Sequence, residues 1–116
     1  MKTNVIVTFQ IDGLHCWPDA KKIIPHMGYL SELHRHLFYF TAKKQVFHDD
    51  RDVEFINFKR QLIKYVTDKY FDEQYQCCNF KSSSCEMLAK ELLIKFDLYY
   101  CSVLEDEENG GEVTVD

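Results

Sequence analysis

Asn4-Val5-Ile6-Val7-Thr8-Phe9-Gln10-Ile11 sets Val5, Val7, Phe9 and Ile11 at every second position, the period of a β-strand with one buried face. Downstream, His34–His48 (HRHLFYFTAKKQVFH) is rich in aromatic residues and reads as a long second strand, antiparallel to the first if the chain between them turns back. That intervening stretch, Asp12–Leu33, breaks the alternation with Gly13, Pro18, Pro25 and Gly28 but keeps Trp17, Met27, Tyr29 and Leu30. It reads as a long packed loop with a short helix. Loops of this length in a compact domain are often functional, and its aromatic content favours that role.

Beyond the acidic turn Asp49-Asp50-Arg51-Asp52, the residues Phe55, Phe58, Leu62, Tyr65, Val66 and Tyr70 recur at three- and four-residue steps, which predicts an amphipathic helix. Its aromatic stripe is core material. Asp72–Ser82 reads as a connecting loop. Ser83 followed by Glu86 then makes a capping box ahead of Leu88, Leu92 and Phe96, predicting a second helix. Tyr99–Glu105 reads as a strand, Glu108-Asn109-Gly110-Gly111 as a turn and Glu112–Val115 as the last strand. The expected architecture is α+β: a ββααββ antiparallel sheet with two helices on one face, formed by residues 1–116 as a single domain.

The 116 residues suffice for one core, and 46% hydrophobic with 15% aromatic content lets burial offset chain entropy. The formal net charge of -5, from 14 basic and 19 acidic residues, has the wrong sign for binding a phosphate backbone. No nucleic-acid partner is expected. The N-terminus lacks the layout of a signal peptide, and no apolar run reaches the ~20 residues that span a bilayer. Cys16, Cys77, Cys78, Cys85 and Cys101 are odd in number and irregularly spaced, which suits a reducing compartment better than a disulfide framework. A cytoplasmic protein without a membrane partner is expected.

Chemistry concentrates in three histidines. Side chains two apart on a strand share a face, so His34 and His36 converge while Arg35 points away. His15 closes the first strand, and a third histidine on a neighbouring strand would give three ligands and an open fourth position, the layout of a catalytic zinc site. Two histidines on a strand are also common as plain surface or core residues.

With a histidine closing strand one and H-x-H opening strand two, the ββααββ order resembles the tunnelling-fold (T-fold) pterin synthases, the 6-pyruvoyl tetrahydropterin synthases and the bacterial 6-carboxytetrahydropterin synthases. Val53-Glu54-Phe55-Ile56-Asn57-Phe58-Lys59 is similar to that family's start of helix one, and Ser84-Cys85-Glu86 with Leu88-Ala89 to its start of helix two. Val103-Leu104-Glu105 followed by Asn109 is similar to its late strand, which bears the glutamate that anchors the pterin or purine ring. The resemblance covers most of the chain. It implies zinc as a cofactor held by His15, His34 and His36, and Glu105 as ring anchor. A carboxylate can accept two hydrogen bonds from adjacent N–H groups of such a ring. Read without the resemblance, Glu105 is the first member of the acidic turn Glu105-Asp106-Glu107-Glu108. Ser84 and Cys85 sit where N–H groups at a helix N-terminus meet a polar ligand, or form just a cap. Arg35 and Arg51 are candidate phosphate partners because a guanidinium fork matches two oxygens.

Two departures shape the functional expectation. The family's cysteine a few residues before H-x-H is missing, since Gly28, Tyr29 and Leu30 stand thereabouts, and Asp72–Ser82 contains no histidine to supply the Asp-His pair between the helices. Cys16 beside His15 is the one candidate for a displaced thiol. Gly13-Leu14-His15 with Trp17-Pro18, His34-Arg35-His36 and His48-Asp49-Asp50-Arg51 are also similar to short stand-alone T-fold proteins of phages. The first expectation is therefore a non-catalytic binder of a purine- or pterin-like nucleotide, in its narrower form a viral sponge that sequesters a host immune signal. The alternative is a zinc-dependent lyase of the pterin synthase type. Family pockets lie between subunits, so the resemblance also implies a homo-oligomer.

Overall fold

The computed structural model describes residues 1–115. Its elements are β1 (Thr3–His15), a one-turn α1 (Ala20–Ile23), 3-10 turns over Pro25–Ser31, β2 (His34–Val46), α2 (Phe55–Tyr70), β3 (Phe71–Asp72), β4 (Cys77–Asn79), α3 (Cys85–Phe96), β5 (Tyr100–Glu105) and β6 (Asn109–Thr114). The strands form one six-stranded sheet in the order β3-β4-β1-β2-β5-β6. The fold is α+β, and the sheet is mixed rather than wholly antiparallel because β4 runs parallel to β1 at Gly13 and Leu14. The stretch expected to be a connecting loop supplies the two additional strands. Cys77-Cys78-Asn79 is too short to display a period, and what makes it a strand is its partner, the far end of β1.

The long strands follow their alternation. Val7, Phe9 and Ile11 of β1 and Phe38, Phe40 and Ala42 of β2 are buried on one face of the sheet, with Cys101 and Val103 of β5 beside them. Phe58, Leu62 and Val66 of α2 and Leu88, Ala89 and Leu92 of α3 join the same cluster, so both long helices cover that face. β1 extends four residues past Ile11 because Gly13 continues the ladder. A Cβ there would lie 2.6 Å from Cε2 of Phe80, so the bare backbone makes room for that fully buried ring.

Local chemistry sets the helix ends. The Glu54 carboxylate accepts from the backbone N–H groups of Ile56 and Asn57, each at 2.9 Å, and starts α2. α3 is capped by Ser84, whose hydroxyl accepts from Met87 N, and not by Ser83 with Glu86 as the capping box predicts. α3 ends at Asp97 in the left-handed region, where Leu98 N–H donates to Leu93 O and buries its side chain, a Schellman closure. The last hairpin turns earlier than expected, through Asp106 and Glu107, both at positive φ. Gly110 and Gly111 therefore belong to β6. A Cβ on Gly111 would lie 2.6 Å from Cγ of Glu86, so close approach of α3 requires glycine there.

No helix among the described residues is long and apolar enough to cross a membrane.

Candidate functional site

Register alone gathers the site. In the β1–β2 ladder His15 faces His34 and Gly13 faces His36, while β5 sets Glu105 opposite Phe38. Cross-strand partners share a face, so three imidazoles and one carboxylate stand together at one end of the helix-covered face. The rings meet edge to face, with centroids 4.6 Å apart for His15–His34, 5.5 Å for His15–His36 and 5.0 Å for His34–His36. One ligand nitrogen from each can be chosen so that all three lie within 4.8 Å of one another. These histidines can hold a metal ion.

Hydrogen bonds engage one nitrogen of each ring. His15 Nδ1 lies 3.1 Å from Ser83 O and His34 Nδ1 lies 2.9 Å from Glu32 O. A carbonyl oxygen only accepts, so both Nδ1 atoms carry the hydrogen. His36 Nδ1 is 2.7 Å from Oδ2 of Asp106. The Leu37 N–H, and after it the His36 ring, hold the Asp106 carboxyl below its ordinary value, so it too acts as an acceptor. In each ring Nδ1 is thus engaged, and Nε2 is the nitrogen left to meet a ligand. Partners of this kind are what orient metal-bound histidines.

His15 is the most buried of the three, at 8% exposure. Burial lowers its pKa, opposed by Ser83 O and the Glu105 charge. Phe38 supports it from below, with ring centroids 5.1 Å apart. Glu105 completes the cluster: Oε1 is 2.9 Å from His15 Nε2 and Oε2 is 3.3 Å from His36 Nε2.

Beside this cluster opens a cleft of about 530 Å³, walled by Cys16, Trp17 and Leu30 of the Asp12–Leu33 stretch, by Ser84, Cys85, Glu86 and Met87 at the start of α3, and by Asn109 and Gly110. His15, His34 and Glu105 form part of its lining. It lies within the size range of ordinary small-molecule sites. Burial, followed by the Glu105 and Glu86 charges, pushes the Cys85 thiol up to about 12, so it is neutral and a poor nucleophile at physiological pH.

His15, His34, His36, Glu105, Ser84 and Cys85 are thus brought together. Arg35 is not: alternation sends it to the opposite face, where it pairs with Asp12. Arg51 pairs with its neighbour Asp50 in the exposed turn. Asp106 escaped the sequence reading because it sits inside an acidic run. What brings it to β2 is the β2–β5 ladder, which it continues one residue past Glu105, its N–H donating to Leu37 O at 2.8 Å. Ser83 and Glu32 act through backbone carbonyls, which leave no trace in residue type.

No protein-family model matches the chain, and no curated protein matches its sequence.

Proposed function

We propose that this chain is a tunnelling-fold zinc protein whose cleft binds a planar purine- or pterin-like ligand without converting it. The observation that carries this reading is the convergence of the three imidazoles of His15, His34 and His36, with Glu105 against His15 and His36, at the edge of a ligand-sized cleft. Zinc suits the donor set, since three imidazoles with Nδ1 already engaged are its common ligands. When bound it would supply a Lewis acid or a fixed positive charge at the end of the cleft. Glu105 offers two acceptor oxygens to adjacent ring N–H groups, and Ser84 and Cys85, at the start of the twelve-residue α3, line the same cleft.

Two of the family's proton-transfer groups have no counterpart, which supports binding without conversion. Cys85 is held neutral, and the segment between the helices forms β3 and β4 with Asp72 bound to Gln74 N and Asn79. Cys16, the candidate for a displaced thiol, does line the cleft beside His15, and the lyase alternative rests on it. The lining also holds no lysine or arginine among the described residues and includes the carboxylates of Glu86 and Glu105, so one chain offers a phosphate little positive charge besides a bound metal. The ring end of a ligand is therefore the better-supported part, and the narrower reading of a viral sponge for a nucleotide signal needs further cations from another subunit.

Homo-oligomerisation fits this reading. β1 pairs with β2 on one side, but on the other it meets β4 only at Gly13 and Leu14. That leaves the Thr3–Asp12 edge open beside exposed Ile6, Phe55 and Ile56, and such edges are ordinarily paired or covered.

Trp17, the single tryptophan, lines the cleft and provides the readout. Titration with guanine- and pterin-containing compounds should change its emission with at least one of them, Glu105→Gln should weaken that response, and the compound should be recovered unchanged. If no compound in the panel perturbs Trp17 or binds by calorimetry, the binder reading fails. Chelator-sensitive consumption of dihydroneopterin triphosphate would establish the lyase instead.

A further inference from the structure

The fixed charges at the cleft are all of one sign. Its described lining carries two carboxylates, Glu86 and Glu105, and neither lysine nor arginine. Glu105 lies against His15 and His36, whereas Glu86 is exposed and forms no ion pair among the described residues. The acidic run Asp106-Glu107-Glu108 follows Glu105 directly. Two cations close to the site in sequence are turned elsewhere: Arg35 pairs with Asp12, and Lys81 lines a separate cleft with Lys69 and Asp72. The start of α3, a common place for an anion, already has partners from its own chain. The Ser84 hydroxyl accepts from Met87 N, and Glu86 stands in the first turn, where its charge offsets the helix dipole. A divalent ion on the three histidines would only balance Glu86 and Glu105.

We propose that the cleft takes the unphosphorylated form of its ring ligand, a free base, nucleoside or phosphate-free pterin, and that Glu86 is the residue that turns phosphorylated forms away. This rests on the ring-binding reading of the preceding section and narrows its ligand class. Like charges facing each other across a walled cleft repel more strongly than in open water. A purine or pterin ring, by contrast, is uncharged and bears N–H donors, which carboxylates accept. Trp17, Leu30 and Met87 supply apolar wall, which suits a flat ring and offers nothing to a phosphate.

Calorimetry on the full chain with zinc added, using guanosine against guanosine monophosphate and neopterin against neopterin monophosphate, tests this. In whichever pair binds, the phosphorylated member should be weaker by roughly tenfold or more, and the gap should shrink as salt is raised, because salt screens the repulsion. Glu86→Gln should strengthen binding of the phosphorylated member and leave that of its partner unchanged. The salt dependence is read on the wild type alone, so it decides the matter even where the variant does not fold. A phosphorylated member that binds as tightly as its partner, or more tightly, would overturn the proposal and leave the binder reading standing. A gap that responds neither to salt nor to Glu86→Gln would mean exclusion by shape and would overturn the role of Glu86. No binding by any of the four compounds would overturn the proposal together with the ring-binding reading beneath it.

Discussion

Nε2 of His15 and Oε1 of Glu105 lie 2.9 Å apart, although one ends the first strand and the other the fifth. Two ladders make that meeting: His15 faces His34 across β1–β2, and Glu105 faces Phe38 across β2–β5. β2 therefore acts as the ruler of the site, and disturbing it should disturb metal affinity.

Phe38 tests this link. It is fully buried and packs edge to face with both His15 and Phe80. Phe38→Ala should cost about 3–5 kcal/mol in chemical denaturation, the usual range for a buried phenylalanine. Phe38→Leu should retain the fold and still weaken zinc binding, because the support beneath His15 changes shape. Unchanged zinc affinity in a folded Phe38→Leu protein would dissociate the core from the site.

Gly13 should resist substitution. Gly13→Ala drives a methyl into the Phe80 ring, with 2.6 Å to Cε2 before relaxation, and overpacking of this kind typically costs about 1–3 kcal/mol. Thermal denaturation of the variant should show a clear loss of stability. A stability equal to wild type would mean that Phe80 moves freely, contrary to its burial.

Asp106 positions rather than coordinates. Asp106→Asn keeps a residue that tolerates positive φ but loses the charge facing His36 Nδ1. Zinc affinity measured by competition with a chelator should fall by roughly 10–100-fold, as for other outer partners of metal-bound histidines. The circular-dichroism spectrum should stay unchanged. Equal affinity would remove Asp106 from the site.

The metal-free protein should lose stability on acidification. Burial lowers the His15 pKa from its ordinary value of 6.5, so as pH falls the unfolded chain takes up this proton before the folded one. The contribution is fully present above about pH 6.5 and is lost progressively below it. Urea midpoints between pH 7.5 and 5.5 should fall, and less steeply for His15→Gln. An identical slope for the two proteins would contradict this account of His15.

Much of the scaffold was legible because its signals are local. The alternation in Asn4–Ile11, the helical spacing of Phe58, Leu62 and Val66, and the shared face of His34 and His36 need no partner to be read. What escaped depends on tertiary neighbours. Cys77-Cys78-Asn79 becomes a strand only beside the end of β1, and Gly13 extends that strand because Phe80 occupies the space above it. The α3 cap falls on Ser84 rather than Ser83, a choice between adjacent serines that composition cannot make. The turn at Asp106 and Glu107 was hidden because Gly110 and Gly111 offer the stronger turn signal, yet those glycines serve close approach to β5 and α3. Arg35 follows its alternation to the far face, and there it meets Asp12.

Native mass spectrometry of the protein, taken from producing cells without exposure to chelator, tests the central claim most directly. The account predicts an oligomer carrying one zinc per subunit, and loss of that zinc with assembly retained when His34 and His36 are both changed to alanine. A folded wild-type protein that carries no metal, and takes up none when zinc is added, would contradict it.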